Sequence, residues 1–346
     1  MALGGGVFVT QNKVLPGSYI NIVSASKATA TVGERGIVAI PLALGKAPGK
    51  VITITRQEFI KDSKNLLGVE FGSDEAKPLR ELFAHAVKAY IYDMDNAHTA
   101  SEAVAAFEPY DFNILAAYTG ESEDATQYIT AVKSWRDDMG KKCQVVVYNQ
   151  TNPDYEGVIN VKSTVSDEGA DAFALVAWVA GAEAGANVNE SCTNMLYDGE
   201  YTVVTDKTQT QLEEAINDGE LVFHLVYGEV RVLEDINSLT TTTDEKGEDF
   251  KSNQTIRVID QIANDIAKLF NTKYLGRIPN NASGRVSLWA DIVAHHRQLE
   301  EIQAIENFDS SLVTVEQGNT KKAVVVNDVI TPVNAMAQLY MTVVIQ

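Results

Sequence analysis

Between residues 87 and 150, short apolar runs alternate with longer segments whose apolar positions recur every three or four residues. KAYIYDM precedes a helical pattern at 99–108, FNILAAY precedes one at 122–139, and CQVVVYN leads into further strand and helix. Strands alternating with helices predict βαβ units and a parallel sheet covered on both faces. Upstream lie two strand-like runs, VFVT and SYINIV, separated by the turn signal LPG. GIVAIPLAL and KVITIT follow as β segments, then RQEFIKDSKNLLG and SDEAKPLRELFAHA as helices. AFALVAWVAGA at 172–182 reads as a buried helix, and LVFHLVYGEVRVLEDI at 221–236 as a hairpin turning at Gly228. The polar, turn-rich NSLTTTTDEKGEDFKSNQ marks a domain boundary. Beyond it Ile256, Ile259, Ile262, Ile266 and Leu269 keep helical spacing, and a second helix is predicted over 284–305. Strands LVTVEQG and KAVVVNDVI then lead to a final segment, QLYMTVVIQ.

In that final segment Leu339, Met341, Val343 and Ile345 point one way, and Tyr340, Thr342, Val344 and Gln346 the other. This is a strand that needs a sheet, and no charge follows Asp328 to blunt its edge. Either it closes a sheet of its own subunit or it is given to a neighbour.

Length and composition are those of a globular chain of two or three domains: 346 residues, 45% hydrophobic, with 8 prolines and 23 glycines. Lys and Arg number 28 against 47 Asp and Glu, for a net charge of −19, which disfavours nucleic acid and anionic membrane surfaces as partners. The opening MALGGGVFVTQNK has no secretory or import pattern, and the most apolar stretch, between Asp171 and Glu183, is too short to span a bilayer. Two cysteines, Cys143 and Cys192, suggest a reducing compartment and no disulfide framework, hence synthesis in a cytoplasm.

The search for chemistry yields no catalytic residue, metal site or cofactor. Gly45 and the PGK at 48–50 resemble a phosphate loop, but the spacing is too short and Val51 stands where Ser or Thr would bind magnesium. GAEAG at 181–185 and GGG at 4–6 lack the context of a dinucleotide site. Among His85, His98, His224, His295 and His296 no pair has the i, i+4 spacing of a helical zinc site, and adjacent His295 and His296 are expected on different sides of their helix. Thr119, Glu121 and Ser122 follow a strand, where α/β enzymes carry their sites, but Ser122 reads as an N-cap before Glu123 and Asp124. Asp137-Asp138 and Glu300-Glu301 read as solvated helix faces.

Five stretches together resemble the contractile phage tail sheath family: LPGSYINIVS, ERGIVAIPLALG, NSLTTTT, NTKYLGRIPNNASGR and VITPVNAMAQLYMTVVI. The likeness spans nearly the whole chain and is nearest to the short sheaths of Gram-positive phages, defective prophages and R-type bacteriocins, which lack large outer insertions. It implies an α/β and α+β multidomain fold: an N-terminal arm (1–24), a small β-rich domain (25–86), a subtilisin-like α/β domain without a catalytic triad (87–236), a C-terminal domain (237–337) and an arm strand (338–346). It also implies a structural subunit, not an enzyme, that polymerises around a tail tube and contracts to drive it through an envelope. The partners implied are further copies of itself in stacked hexameric rings, the tube protein, and baseplate and terminator proteins, without nucleic acid or membrane insertion. The location implied is the bacterial host cytoplasm during assembly and a phage or phage-tail-like particle afterwards. The arms would exchange strands between subunits through Val7, Val9, Tyr19, Ile20 and Ile22 at one end and Leu339, Tyr340, Met341, Val343 and Ile345 at the other. Arg285, His295, Arg297, Glu300 and Glu301 are candidates to face the tube. A static filament or surface-layer protein, or an α/β hydrolase, are the alternative readings.

Overall fold

The apolar run after Gly36 becomes β1 (Ile37–Leu42) in the computed structural model, which describes residues 32–95 and 97–345. A turn brings the chain back as β2 (Val51–Thr55), followed by α1 (Arg56–Leu67), α2 (Lys77–Phe83) and β3 (Lys88–Asp93). Then come α3 (Ala100–Phe107), β4 (Ile114–Ala116), α4 (Ser122–Asp137), β5 (Gln144–Tyr148), β6 (Val158–Val161), α5 (Leu175–Gly185), α6 (Gln209–Asn217) and β7 (Glu220–Leu221). These strands form one seven-stranded sheet in the order β2-β3-β1-β4-β5-β6-β7, parallel throughout except for β2, which pairs antiparallel with β3.

The sheet carries a hydrophobic layer on each face. Val38, Ile40 and Leu42 of β1 share one layer with α1, α2 and α5, which is apolar but for Glu183 near its end and whose Trp178 is fully buried. Ala39 and the strand residues Tyr90 and Tyr92 share the other with Phe107 of α3 and Tyr128 and Trp135 of α4. Strict alternation along strands that are buried on both sides produces this division. Residues 37–83 therefore belong to the central sheet and its flank, not to a separate β-rich unit over 25–86. An uninterrupted apolar strand such as β1 is stable only with neighbours on both edges, and it lies between β3 and β4.

Local signals set the ends of several helices. Thr55 with Glu58, Thr99 with Glu102 and Thr208 with Gln211 form reciprocal capping boxes at α1, α3 and α6. At α4 the cap is Glu121, not Ser122, which occupies the first helical position and donates its hydroxyl to Gln150 Oε1 at 2.9 Å. The loop that resembled a phosphate loop has its amides engaged: Leu44 and Gly45 donate to Asp93 Oδ1 at 2.9 Å, and Ala47 to Asp93 Oδ2 at 2.5 Å. A carboxylate from the protein itself thus occupies the anion position.

After β7 the chain forms the hairpin β8 (Phe223–Val226) and β9 (Glu229–Val232), turning at Tyr227 and Gly228, both at positive φ. The last third holds α7 (Asn253–Leu269), a π-helical turn at Phe270–Tyr274, α8 (Ala282–Glu301), and the antiparallel hairpin β10 (Thr314–Gln317) with β11 (Val324–Asn327). It has its own core, in which Val258, Leu269, Leu288, Ile292, Leu299 and Ile305 meet Phe308 and Val313. Among the described residues no helix is long and apolar enough to cross a membrane.

Candidate assembly surfaces

Among the described residues, the last hydrogen bonds between the body and the C-terminal segment fall at residues 331–335. Glu306 N donates to Thr331 O at 2.9 Å and Val333 N to Ala304 O at 3.0 Å, around a bridge between Ile305 and Pro332. Thr255 Oγ1 then meets Asn334 Oδ1 at 3.1 Å, and Ala335 N donates to Gln254 Oε1 at 2.9 Å, tying the segment to the start of α7. Beyond this point the apolar side chains are bare. Leu339, Tyr340, Met341, Val343 and Ile345 are between 71% and 93% exposed, and Met336 is fully so. Residues 336–345 pair with no strand among the described residues. The apolar alternation expected of a strand is exposed there, and no described strand covers it. Val7, Val9, Tyr19, Ile20 and Ile22 lie outside the described residues.

The same third of the chain holds a sheet of only two strands. β10 and β11 pair from Thr314 with Asn327 to Gln317 with Val324, and each has an outer edge without a strand partner among the described residues. Val325 and Val326 expose apolar surface on it. Two strands alone are marginal in water, and this hairpin leans on α8 through Trp289, whose Nε1 donates to Val313 O at 3.0 Å.

The five residues proposed to face a tube fall into different environments on α8. Arg297 and Glu301 are exposed. Glu300 accepts from Phe308 N at 3.0 Å and lies 3.7 Å from Arg297, while the half-buried Arg285 turns back to Asn280. His295 cannot face a tube because it is fully buried, and so is His296. The two rings do not point to opposite sides of the helix: their Nδ1 atoms lie 3.3 Å apart. His295 Nε2 reaches Asp265 Oδ2 at 3.0 Å, and His296 Nε2 reaches Asp328 Oδ2 at 2.6 Å.

α7 docks across the N-terminal ends of the central strands through a buried polar seam. Arg136 grips Asp260 with both terminal nitrogens, at 2.5 and 2.9 Å, and Asn264 exchanges two hydrogen bonds with the backbone of Lys142. Gln144, at the head of β5, donates to Asn253 Oδ1 at 3.0 Å. Deepest in the seam is Arg257, which donates to Glu183 Oε2 at 2.6 Å and Asp235 Oδ2 at 3.4 Å and to the carbonyl of Glu190. Cys192 completes the group, and its sulfur lies with the Glu183 and Asp235 oxygens within 4.8 Å. These three donors have the types of a metal set, but the guanidinium stands among them as the cation. Burial, then the Asp235 charge, raises Glu183 well above the usual carboxylate range. Burial, the largest single influence, pulls Asp235 the same way, yet the Arg257 charge together with hydrogen bonds from Glu183, the Cys192 amide and Asn253 holds that carboxyl below its ordinary value. Burial also pushes Cys143 up to about 12 and Cys192 well above an ordinary thiol, so neither offers a thiolate for nucleophilic chemistry.

Comparison with known proteins gives these surfaces a context. Residues 94–238 match the family described as phage tail sheath protein central domain, and residues 245–346 match phage tail sheath C-terminal domain. The phage-like element PBSX protein XkdK of Bacillus subtilis is 30% identical over 253 residues, covering 69% of this chain and 54% of its own length. The tail sheath protein of Clostridium phage phiCD119 is 30% identical over 212 residues, covering 60% of this chain and 58% of its own. The chain thus spans about half the length of the curated relatives it matches. The crystal structure of a sheath tail protein from Desulfitobacterium hafniense superposes with a TM-score of 0.81 at 28% identity, over 92% of this chain and 97% of that one.

Proposed function

Because this chain belongs to the phage tail sheath family, a family of structural proteins, we propose that it polymerises into a sleeve around a tail tube by giving its terminal arms to the sheets of neighbouring copies. The observation that carries this reading is the charge-free, exposed apolar segment 336–345, which pairs with no described strand, in a chain that also presents a two-stranded sheet whose outer edges have no described partner. Adding a strand to such an edge satisfies backbone groups and buries alternate side chains. Four side chains such as Leu339, Met341, Val343 and Ile345 would contribute about 6 to 12 kcal/mol gross, before ordering costs. A linkage of that size survives while weaker contacts between bodies break and reform, as contraction from an extended state requires. The tube, a baseplate and a terminator are the partners of this assembly, and its energy resides in subunit contacts.

Electron microscopy of the purified chain tests the reading. Hollow sleeves are expected, whereas filaments without a lumen indicate a static structural protein, and dispersed particles at every concentration contradict polymerisation.

The exposed end of α8 is the surface we assign to the tube, through Arg297 and Glu301 with Arg285 at its margin. Charge reversal by Arg297→Glu is expected to reduce assembly around added tube at least severalfold and to leave tube-free polymerisation intact. Equal loss of both in a sedimentation assay would show a packing defect instead.

A further inference from the structure

The tandem histidines of α8 sit where the two ends of the described chain join the body. Asp265 Oδ2, which holds His295, also accepts from Gly33 N at 3.0 Å and from Gln261 Nε2 at 2.9 Å, so it fixes the backbone just after the start of the described chain. Asp328, which holds His296, follows β11 directly and opens the segment that becomes the exposed arm. His296 packs against Phe308 at a tilt of 52°, with ring centroids 5.1 Å apart. The charged groups facing the pair are Asp265 from α7 and Asp328 from the arm root, while Arg297, next along the helix, turns to Glu300 and the Phe308 ring.

Hydrogen-bond accounting fixes the number of protons in this cluster. A carboxylate only accepts, so each Nε2 that meets one carries a hydrogen. The facing Nδ1 atoms attract each other only when one has a hydrogen and the other a lone pair. Three hydrogens on four ring nitrogens make one imidazole and one imidazolium, a single positive charge shared between two buried rings. Removing that proton leaves two lone pairs face to face, and adding another sets two N–H groups against each other. Either change loosens the rings from both aspartates at once.

We propose that His295 and His296 form a one-proton latch that couples the root of the N-terminal segment at Gly33 to the root of the C-terminal arm at Asp328. A change of proton count, or a pull on one arm that moves its aspartate, is passed to the other arm through the shared proton. Its consequence for a sleeve rests on the assembly reading above, but the coupling itself is a property of the dispersed subunit and is measured there.

Two measurements on the full soluble chain decide it. With 15N-labelled histidine, long-range proton–nitrogen spectra of the unmodified protein at neutral pH should show three of the four ring nitrogens of His295 and His296 protonated. Two bare Nδ1 atoms overturn the proposal. Asp328→Asn keeps an acceptor beside His296 but removes the charge that holds the proton. Hydrogen exchange of the Gly33 amide, on the far side of the pair, should then accelerate about tenfold while amides of β1 keep their protection. An unchanged Gly33 rate means that the two roots are independent.

Discussion

Removing residues 336–346 is expected to leave a folded, monodisperse subunit that no longer forms sleeves at any concentration at which the full chain polymerises. The last tie to the body is the hydrogen bond from Ala335 N to Gln254, which the truncation spares, and the deleted apolar side chains are largely solvated. Loss of exposed residues without partners typically changes stability by no more than about 0.5 kcal/mol, so the thermal midpoint should scarcely move. Assembly should fail completely, because each copy would lack the strand that it gives to the next. Midpoints from scanning calorimetry and sedimentation of both proteins separate the outcomes. A truncated chain that is several kcal/mol less stable as a monomer would place the segment in its own subunit's sheet. Truncated protein that still builds sleeves would move the linkage elsewhere on the surface.

How far the sequence reveals this design depends on which force dominates each element. Where burial of apolar surface decides, the pattern is legible: β1, β3 and β5 read as buried strands, α5 as a buried helix, and the turn at Gly228 as a hairpin. The arm is different: its period-two alternation predicts a strand, while residues 336–345 are coil with exposed side chains in the subunit. α7 is legible as a helix but not in its packing. Its isoleucine spacing suggests that the apolar side is inside and the polar side solvated, yet Asn253, Arg257, Asp260 and Gln261 are buried while Ile259, Ile262 and Ile266 are only partly so. A polar stripe is stable inside only when each group finds a partner, and several of those partners, such as Glu183, Arg136 and Gln144, come from residues more than 60 positions away. No local period encodes that complementarity. The histidine pair is hidden for the same reason: two adjacent helical positions are not expected to share one interior, and only Asp265 and Asp328, one on another helix and one after a hairpin, bring them there.

The two carboxylates around Arg257 should respond very differently to removal of their charge. Asp235 is the member whose ionised form is favoured: Arg257 and hydrogen bonds from its neighbours together outweigh burial, and its Oδ2 accepts from Cys192 N at 2.9 Å. Glu183 is raised well above the usual range, by burial first and then by the Asp235 charge, so of the two it is the member that more readily takes up a proton. Glu183→Gln reproduces a neutral group with a donor and an acceptor, and should cost less than about 1 kcal/mol. Asp235→Asn leaves the fully buried guanidinium without a counter-charge and should cost about 3 to 5 kcal/mol, read by denaturant unfolding at neutral pH. The pH dependence has a definite sign. A carboxyl whose folded pKa is raised binds more protons in the folded state, so its contribution is complete below its unfolded value and is lost as pH rises through the folded one. The stability of the unmodified protein relative to Glu183→Gln should therefore fall as pH is raised above the ordinary range of a glutamate. A larger cost for Glu183→Gln than for Asp235→Asn, or the opposite slope, would assign the negative charge to Glu183, and Arg257 would then be neutralised from α5 instead of from Asp235, which follows the β8–β9 hairpin.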